Sequence, residues 1–297
     1  MSFLSILSVL PLFSCSGTET STTKNAPPGL FRQTLFHNDV TREYLFYIPE
    51  SYEGSTAVPL MLNFHGFGGL IEDYIEWADM REIADEENFI LVYPQGTTME
   101  GEAYSYHWNT SLPSEDNKSS ADDFGFVDAL IDDLSANLNI DQDRVYACGY
   151  SNGSFFTYGM TCFGGNHFAA IGSVSGTMLD DAYGGCNPSH PTAMINLHGT
   201  NDYTVPYNGG DGTAIEDVVN YWVQYNNTST TPTTNSVDDD GMTIEHHSYT
   251  DGDNGVAVEH YKLIGGEHVW FDMNYEGANT GRIIWDFVSQ YDRNGRR

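Results

Sequence analysis

At 297 residues, 40% hydrophobic and 13% aromatic, the chain has apolar side chain enough for a large core, and a single α/β domain is the default at this size. Its 42 Asp plus Glu against 11 Lys plus Arg leave a formal net charge of −31, which repels phosphate backbones and anionic membrane surfaces and so excludes nucleic acid as a partner. The acidic residues are scattered among Ser, Thr, Gly and Asn, as on a solvated surface, and the charge as a whole receives no catalytic role.

The apolar stretch from Phe3 to Phe13 is too short to span a bilayer and suits the core of an export signal over residues 1–15. It ends Leu12-Phe13-Ser14-Cys15-Ser16-Gly17, which is similar to a bacterial lipoprotein signal. Cys15 is therefore the expected lipid anchor and the only expected link to a membrane, with the protein secreted or held at the bacterial cell surface or periplasm. Ser16 to Pro28 reads as a flexible tether, and residues 29–297 as the folded domain.

Phe31 to Phe36 and Arg42 to Ile48 read as strands, the second from its alternation Tyr44-Leu45-Phe46-Tyr47-Ile48. Pro59 to Phe64 is almost continuously apolar, as in a strand covered on both faces, and runs into His65-Gly66-Phe67-Gly68-Gly69. Ile71 to Asn88 has helical spacing and Phe89 to Tyr93 is another strand. Thr97 to Ser120 is polar but holds Tyr104, Tyr106, His107 and Trp108, rings that can wall a substrate groove. Asp122 or Asp123 caps a helix through Leu134, with Phe124, Val127, Leu130, Ile131 and Leu134 at intervals of three and four.

Val145 to Cys148 is a strand and Phe155 to Cys162 a helix; Ala169 to Val174 and Ala193 to Leu197 are two further strands. Ala214 to Tyr225 reads as a helix and Asn226 to Asp240 as a polar loop. Met242 to Tyr249 and Val256 to Ile264 form a strand pair, and Ile283 to Tyr291 a closing helix. The acidic turn Asp251 to Gly255 fails the calcium-loop pattern, which needs glycine where Val256 stands, and His246-His247 is left as surface. Strands alternating with helices argue for a mainly parallel sheet with helices on both faces, whose chemistry sits beyond the strands' carboxyl ends.

Gly149-Tyr150-Ser151-Asn152-Gly153 lies between the Val145 strand and the Phe155 helix. That context makes a serine between glycines a nucleophile elbow: the strained turn pushes the Ser151 hydroxyl out, and the glycines remove side chains that would collide there. By contrast, Gly172-Ser173-Val174-Ser175-Gly176 has its glycines wrongly placed around either serine and reads as strand end and loop. The oxyanion of an acyl-transfer intermediate needs two backbone N–H groups; Asn152 is expected to supply one, and Phe67, or its neighbour Gly68, the other. Asp202, in His198-Gly199-Thr200-Asn201-Asp202, follows a strand downstream of the serine and suits the carboxylate of a triad, with Asp180 and Asp181 as the fallback. His268, in Gly265-Gly266-Glu267-His268-Val269-Trp270, suits the general base; His260 competes but lies inside a strand pattern. The chain order Ser151, Asp202, His268 is that of α/β-hydrolases. Cys148 sits in the apolar run, where a free thiol behaves as a small hydrophobe, so Cys162 and Cys186 are the expected pair.

These motifs, with Trp108-Asn109, Asp122-Asp123-Phe124-Gly125-Phe126 and Val205-Pro206-Tyr207, resemble the polyhydroxybutyrate depolymerase and feruloyl esterase group, which includes carbohydrate esterase family one. The resemblance implies an α/β-hydrolase fold, the triad Ser151, Asp202 and His268, and a Cys162–Cys186 bridge. Ser154 departs from it, standing where many relatives have glycine. The implied partner is an ester substrate, polysaccharide-linked or a polyester oligomer, and no metal or organic cofactor is expected. His65, Trp108, Tyr150 and Trp270 are the expected substrate-binding residues. A peptidase or thioesterase of the same fold, or a binding module without catalysis, would carry many of the same features.

Overall fold

The structure, a computed structural model, describes residues 24–111, 117–210 and 212–297; the export signal expected at residues 1–15, with Cys15, lies outside them. The hairpin β1 (Gly29–His37) and β2 (Val40–Ile48) is followed by β3 (Val58–Phe64), α1 (Ile71–Trp77), α2 (Arg81–Glu87) and β4 (Ile90–Pro94). Then come α3 (Asp123–Asn137), β5 (Ile140–Tyr150), α4 (Asn152–Phe163), β6 (Phe168–Val174), α5 (Asp180–Gly185) and β7 (Ala193–Gly199). The chain ends with α6 (Ile215–Tyr225), β8 (Thr233–Asp239), β9 (Met242–Tyr249), β10 (Val258–Ile264), α7 (Thr280–Val288) and the two-residue strands β11 (Tyr291–Asp292) and β12 (Gly295–Arg296).

One ten-stranded sheet runs β1-β2-β4-β3-β5-β6-β7-β10-β9-β8. Its middle, from β4 to β10, is parallel, and antiparallel pairs extend both edges. This is the α/β-hydrolase fold expected from the motifs. β3, β4, β6 and β7 are buried at every residue because helices cover both faces. Phe126, Phe156 and Trp222 of α3, α4 and α6 pack one face; Ile71, Ile83 and Trp285 of α1, α2 and α7 pack the other. Cys162 and Cys186 are bridged, tying the end of α4 to the residue after α5, while Cys148 is free and buried. The backbone is already held at Lys24, whose carbonyl accepts from the Tyr52 hydroxyl at 2.9 Å.

Several elements differ from the sequence reading, among them α5, which no expected helix covers. Ile71 to Asn88 is two helices, because the Asp79 carboxylate accepts the Arg81 N–H at 2.9 Å and starts a new first turn there. Part of the expected loop Asn226 to Asp240 is β8, a largely exposed edge strand that pairs with β9 from Thr233↔Ser248 to Asp239↔Met242. Its one apolar side chain, Val237, packs partly against the core, so the strand shows no apolar alternation, and its acidic end blunts a sheet edge. The closing helix begins earlier, at Thr280, because the Asn279 side chain accepts the Arg282 N–H at 2.9 Å; it stops at Val288, before Tyr291 enters β11.

Candidate active site

β5 ends at Tyr150 and α4 begins at Asn152, so the chain turns within Ser151, at φ 52° and ψ −121°. A side chain at Gly149 would run into the backbone of Gly153, and one at Gly153 into the carbonyls of Phe64 and His65, so no larger residue fits beside the turn. The strained residue is held from outside: its N–H donates to the Val174 carbonyl at 2.9 Å, and its carbonyl accepts from Ser154 and Phe155 at 2.8 and 3.0 Å. Ser154 itself is buried, 2.5 Å from the Ser173 hydroxyl, and it fits because Gly176 presents no side chain to it.

The loops after β7 and β10 bring two more groups to Ser151. Its Oγ lies 2.9 Å from His268 Nε2, and His268 Nδ1 lies 2.7 Å from Asp202 Oδ2. The other Asp202 oxygen accepts the N–H groups of Thr204 and Val205 at 2.9 and 2.8 Å. Burial by itself would raise the Asp202 pKa, but the bonds from His268 and Val205, with His198 nearby, outweigh it and hold the carboxyl below its usual range. An ionised Asp202 can only accept, so Nδ1 of His268 carries the proton and the Nε2 lone pair of the neutral ring faces the serine hydroxyl. Asp180 and Asp181 are exposed at the start of α5, and His260 is buried with Nε2 2.8 Å from the Tyr207 hydroxyl.

The turn after β3 presents backbone close to Ser151: a side chain at Gly66 would come within 3.2 Å of the Ser151 Cβ. The Gly68 N–H is committed to the Tyr106 carbonyl at 2.7 Å, and that of Gly69 to Gly66 at 3.0 Å. Among the described residues the Phe67 N–H has no partner, and the Asn152 N–H, first in α4, has no acceptor within its helix.

His65, Trp108 and Trp270, expected to bind substrate, are instead buried, with exposures of 0%, 1% and 8%. They form the framework beneath. His65 Nε2 accepts from the Gly96 N–H and the Gln95 amide, both at 2.9 Å, while Nδ1 lies 2.7 Å from the Gly66 carbonyl. Burial pushes the His65 pKa down to about 4, so the ring stays neutral and can play both roles. Trp108 donates its indole N–H to the His65 carbonyl at 3.1 Å and stacks on Phe156. Its backbone N–H and carbonyl are taken by the Asn152 side chain at 2.8 and 3.1 Å. The next N–H, of Asn109, donates at 2.8 Å to Asp123, which is paired with buried Arg42 at 2.7 Å. Trp270 packs edge-on against Tyr74. Tyr150 is half-buried and holds the histidine loop, its hydroxyl donating to the His268 carbonyl at 2.9 Å, alongside Ser175, which donates to the Val269 carbonyl at 2.8 Å.

Of the rings expected to wall a groove, Tyr104 is exposed at 75%, and others that went unnamed reach solvent too. Phe67 is 51% and Trp77 47% exposed, and Trp77 packs edge-on against Tyr150, itself 5.0 Å from the His268 ring. In the sequence Trp77 falls within one apparent helix, Ile71 to Asn88; the break after α1 leaves it exposed. Among the described residues, no helix is long and apolar enough to cross a membrane, and no group of three His, Cys, Asp or Glu could hold a metal ion.

An α/β-hydrolase sheet carrying a Ser-His-Asp arrangement defines the class. Residues 42–194, a little over half of the chain, match the family described as Esterase PHB depolymerase, and the chain belongs to that family. It is 30% identical over 192 residues to a probable feruloyl esterase C of Aspergillus clavatus, covering 64% of this chain and 65% of that protein. It is 28% identical over 241 residues to a bifunctional acetylxylan esterase/xylanase of Neocallimastix patriciarum, covering 80% of this chain and 32% of that protein. The chain thus spans less than two thirds of the length of these relatives. Among solved structures, an acetyl xylan esterase from Aspergillus awamori shares the fold at a TM-score of 0.63 and 13% identity, over 87% of this chain and 98% of that one.

Proposed function

We propose that the protein is an exported serine esterase that hydrolyses carboxylic esters, such as feruloyl or acetyl esters of plant polysaccharide or hydroxyalkanoate oligomers, through an acyl-enzyme. The observation that carries this reading is the hydrogen-bond chain Ser151–His268–Asp202, together with a Phe67 N–H that has no partner among the described residues and an Asn152 N–H that has no acceptor within its helix. Ser151 attacks the ester carbonyl as His268 Nε2 takes its proton, and Asp202 holds the ring and stabilises the imidazolium. The carbonyl oxygen, now an oxyanion, accepts from the Phe67 and Asn152 N–H groups. His268 returns the proton to the leaving alcohol; water, activated by the same ring, then releases the acid. Every proton moves through His268, so the cycle calls for no metal or cofactor. The exposed rings of Phe67 and Trp77 beside the triad suit an aromatic acyl group, and the relatives named for feruloyl and acetylxylan esters support this substrate class.

The test is labelling with a fluorophosphonate probe and locating the adduct by mass spectrometry. Label on Ser151 that vanishes in Ser151→Ala is the expected result; a folded protein that takes no label would overturn the catalytic reading.

A further inference from the structure

Asp202 stands between two histidines. Its Oδ2 lies 2.7 Å from Nδ1 of His268 and 3.4 Å from Nε2 of His198, and the Asp202 and His198 side chains are wholly buried. Nε2 of His198 also lies 2.9 Å from the Val205 carbonyl. A carbonyl can only accept, so Nε2 carries the proton, and the positive end of that N–H stands beside the carboxylate. Oδ1 meanwhile takes the N–H groups of Thr204 and Val205. One histidine faces Ser151; the other moves no proton in the proposed cycle.

The local sequence brings the second histidine there. His198 is the last residue but one of β7, and the turn Gly199 to Asp202 returns the carboxylate to it, with the Asp202 N–H donating to the Gly199 carbonyl at 3.4 Å. A side chain at Gly199 would collide with the Gly266 carbonyl, so this turn packs directly on the loop that delivers His268. Val205-Pro206-Tyr207 then closes round the ring. Val205 holds Asp202 through its N–H and His198 through its carbonyl, and the Tyr207 ring packs edge-on against His198 at 6.0 Å.

The other titratable groups around the pair are Tyr150, which faces Asp202, and His260, which lies 2.8 Å from the Tyr207 hydroxyl with the Glu216–Lys262 pair beyond it. Burial pushes His198 down to about 4 and His260 to about 3, and it raises Tyr150 and Tyr207. Around neutrality His198 is therefore an N–H dipole beside Asp202 and not a second charge. We propose that His198 is a positioning residue of the triad: with Val205 it fixes the Asp202 carboxylate, and its N–H offsets part of the charge that would otherwise stabilise the His268 imidazolium before an ester is bound. The proposal rests on the esterase reading of Ser151. Only the neutral ring can take the serine proton, so this contact keeps the base free at the acid end of the working range.

Profiles of kcat/KM against pH with p-nitrophenyl acetate test it on the full chain and its His198→Leu and His198→Gln variants, with thermal unfolding as the check on the fold. Leucine removes the N–H, whereas glutamine offers an amide N–H to Val205 and Asp202. In His198→Leu the acid limb should move up by about half a pH unit, because the whole carboxylate charge then faces His268, and kcat should fall by about tenfold. His198→Gln should recover most of both. A limb that stays put or moves down while kcat falls overturns the proposal, since lost packing alone lowers kcat without changing what His268 feels from Asp202. A glutamine variant no better than leucine overturns it too. Isotope-edited NMR of the histidine nitrogens in wild type depends on no variant: a proton on Nε2 of His198 near neutral pH is expected, and a proton on Nδ1 overturns the proposal. If no ester is turned over, the same NMR must still show the His268 ring titration moving up in His198→Leu. That result removes the esterase and keeps the role of His198, whereas an unmoved titration removes both.

Discussion

His268 and Asp202 reach Ser151 as side chains, delivered by the loops after β10 and β7, whereas the turn after β3 and the start of α4 offer the backbone N–H groups of Phe67 and Asn152; the Asn152 side chain is engaged by Trp108, and the Phe67 ring is exposed. The side-chain half needs three residue types and a clamp: Tyr150 and Ser175 donate to the carbonyls of His268 and Val269. The backbone half needs a scaffold. The Asn152 amide grips both backbone groups of Trp108, Trp108 bonds to His65, and Asn109 bonds to the Asp123–Arg42 pair. A reacting side chain can be identified by its type, but a reacting N–H is made by whatever holds its peptide still.

Removing the proposed nucleophile should have the largest effect. Ser151→Ala is expected to lower kcat by about a million-fold while the fold survives, since triad members act as a unit and the residual rate comes from the remaining donors and binding; ester assays with a circular dichroism check would show it. Next comes the scaffold. Asp123→Ala leaves Arg42 buried and unpaired, and should cost about 3–5 kcal/mol in urea unfolding. The double change Arg42→Met with Asp123→Leu should restore most of that stability yet leave kcat low, because the Asn109 N–H still lacks its acceptor. Full recovery of activity in that double variant would break the distinction between the two halves.

A third effect is one of pH. Burial holds His65 and His198 at about 4 and His260 at about 3, below the unfolded value of about 6.5. Between those values the unfolded chain binds protons that the folded one refuses, so stability falls as pH drops from about 6.5 toward 4. His65→Gln should flatten that slope by roughly 1.4 kcal/mol per pH unit, seen as urea midpoints that converge on acidification. The smallest effect belongs to the histidine clamp: Tyr150→Phe removes one hydrogen bond of about 0.5–1.5 kcal/mol and should lower kcat a few-fold with KM little changed.

The sequence reading of the aromatic residues failed in an instructive way. Trp108 lies in a segment of polar composition and was expected at a surface, yet it is buried, because its indole N–H finds the His65 carbonyl and its ring finds Phe156. Trp77 lies in a helical pattern and drew no attention, yet it is exposed beside Tyr150. Local polarity reports what neighbouring residues prefer, not which face a loop presents after long-range packing. β8 is hidden for the same reason, since a mostly exposed edge strand with Val237 as its one apolar residue leaves no alternation to read.

By itself the sequence determined the parallel sheet, the elbow at Ser151, the order of the elements carrying Asp202 and His268, and the Cys162–Cys186 pairing, because each depends on residue type at short range or on strand-end position. The tertiary structure alone decided that Gly68 is spent on Tyr106, and that Trp108 supports the site from beneath while Trp77 is exposed against Tyr150. Those depend on which backbone groups meet across the sheet edge, and hydrogen-bond partners brought together from distant positions leave no local trace in the chain.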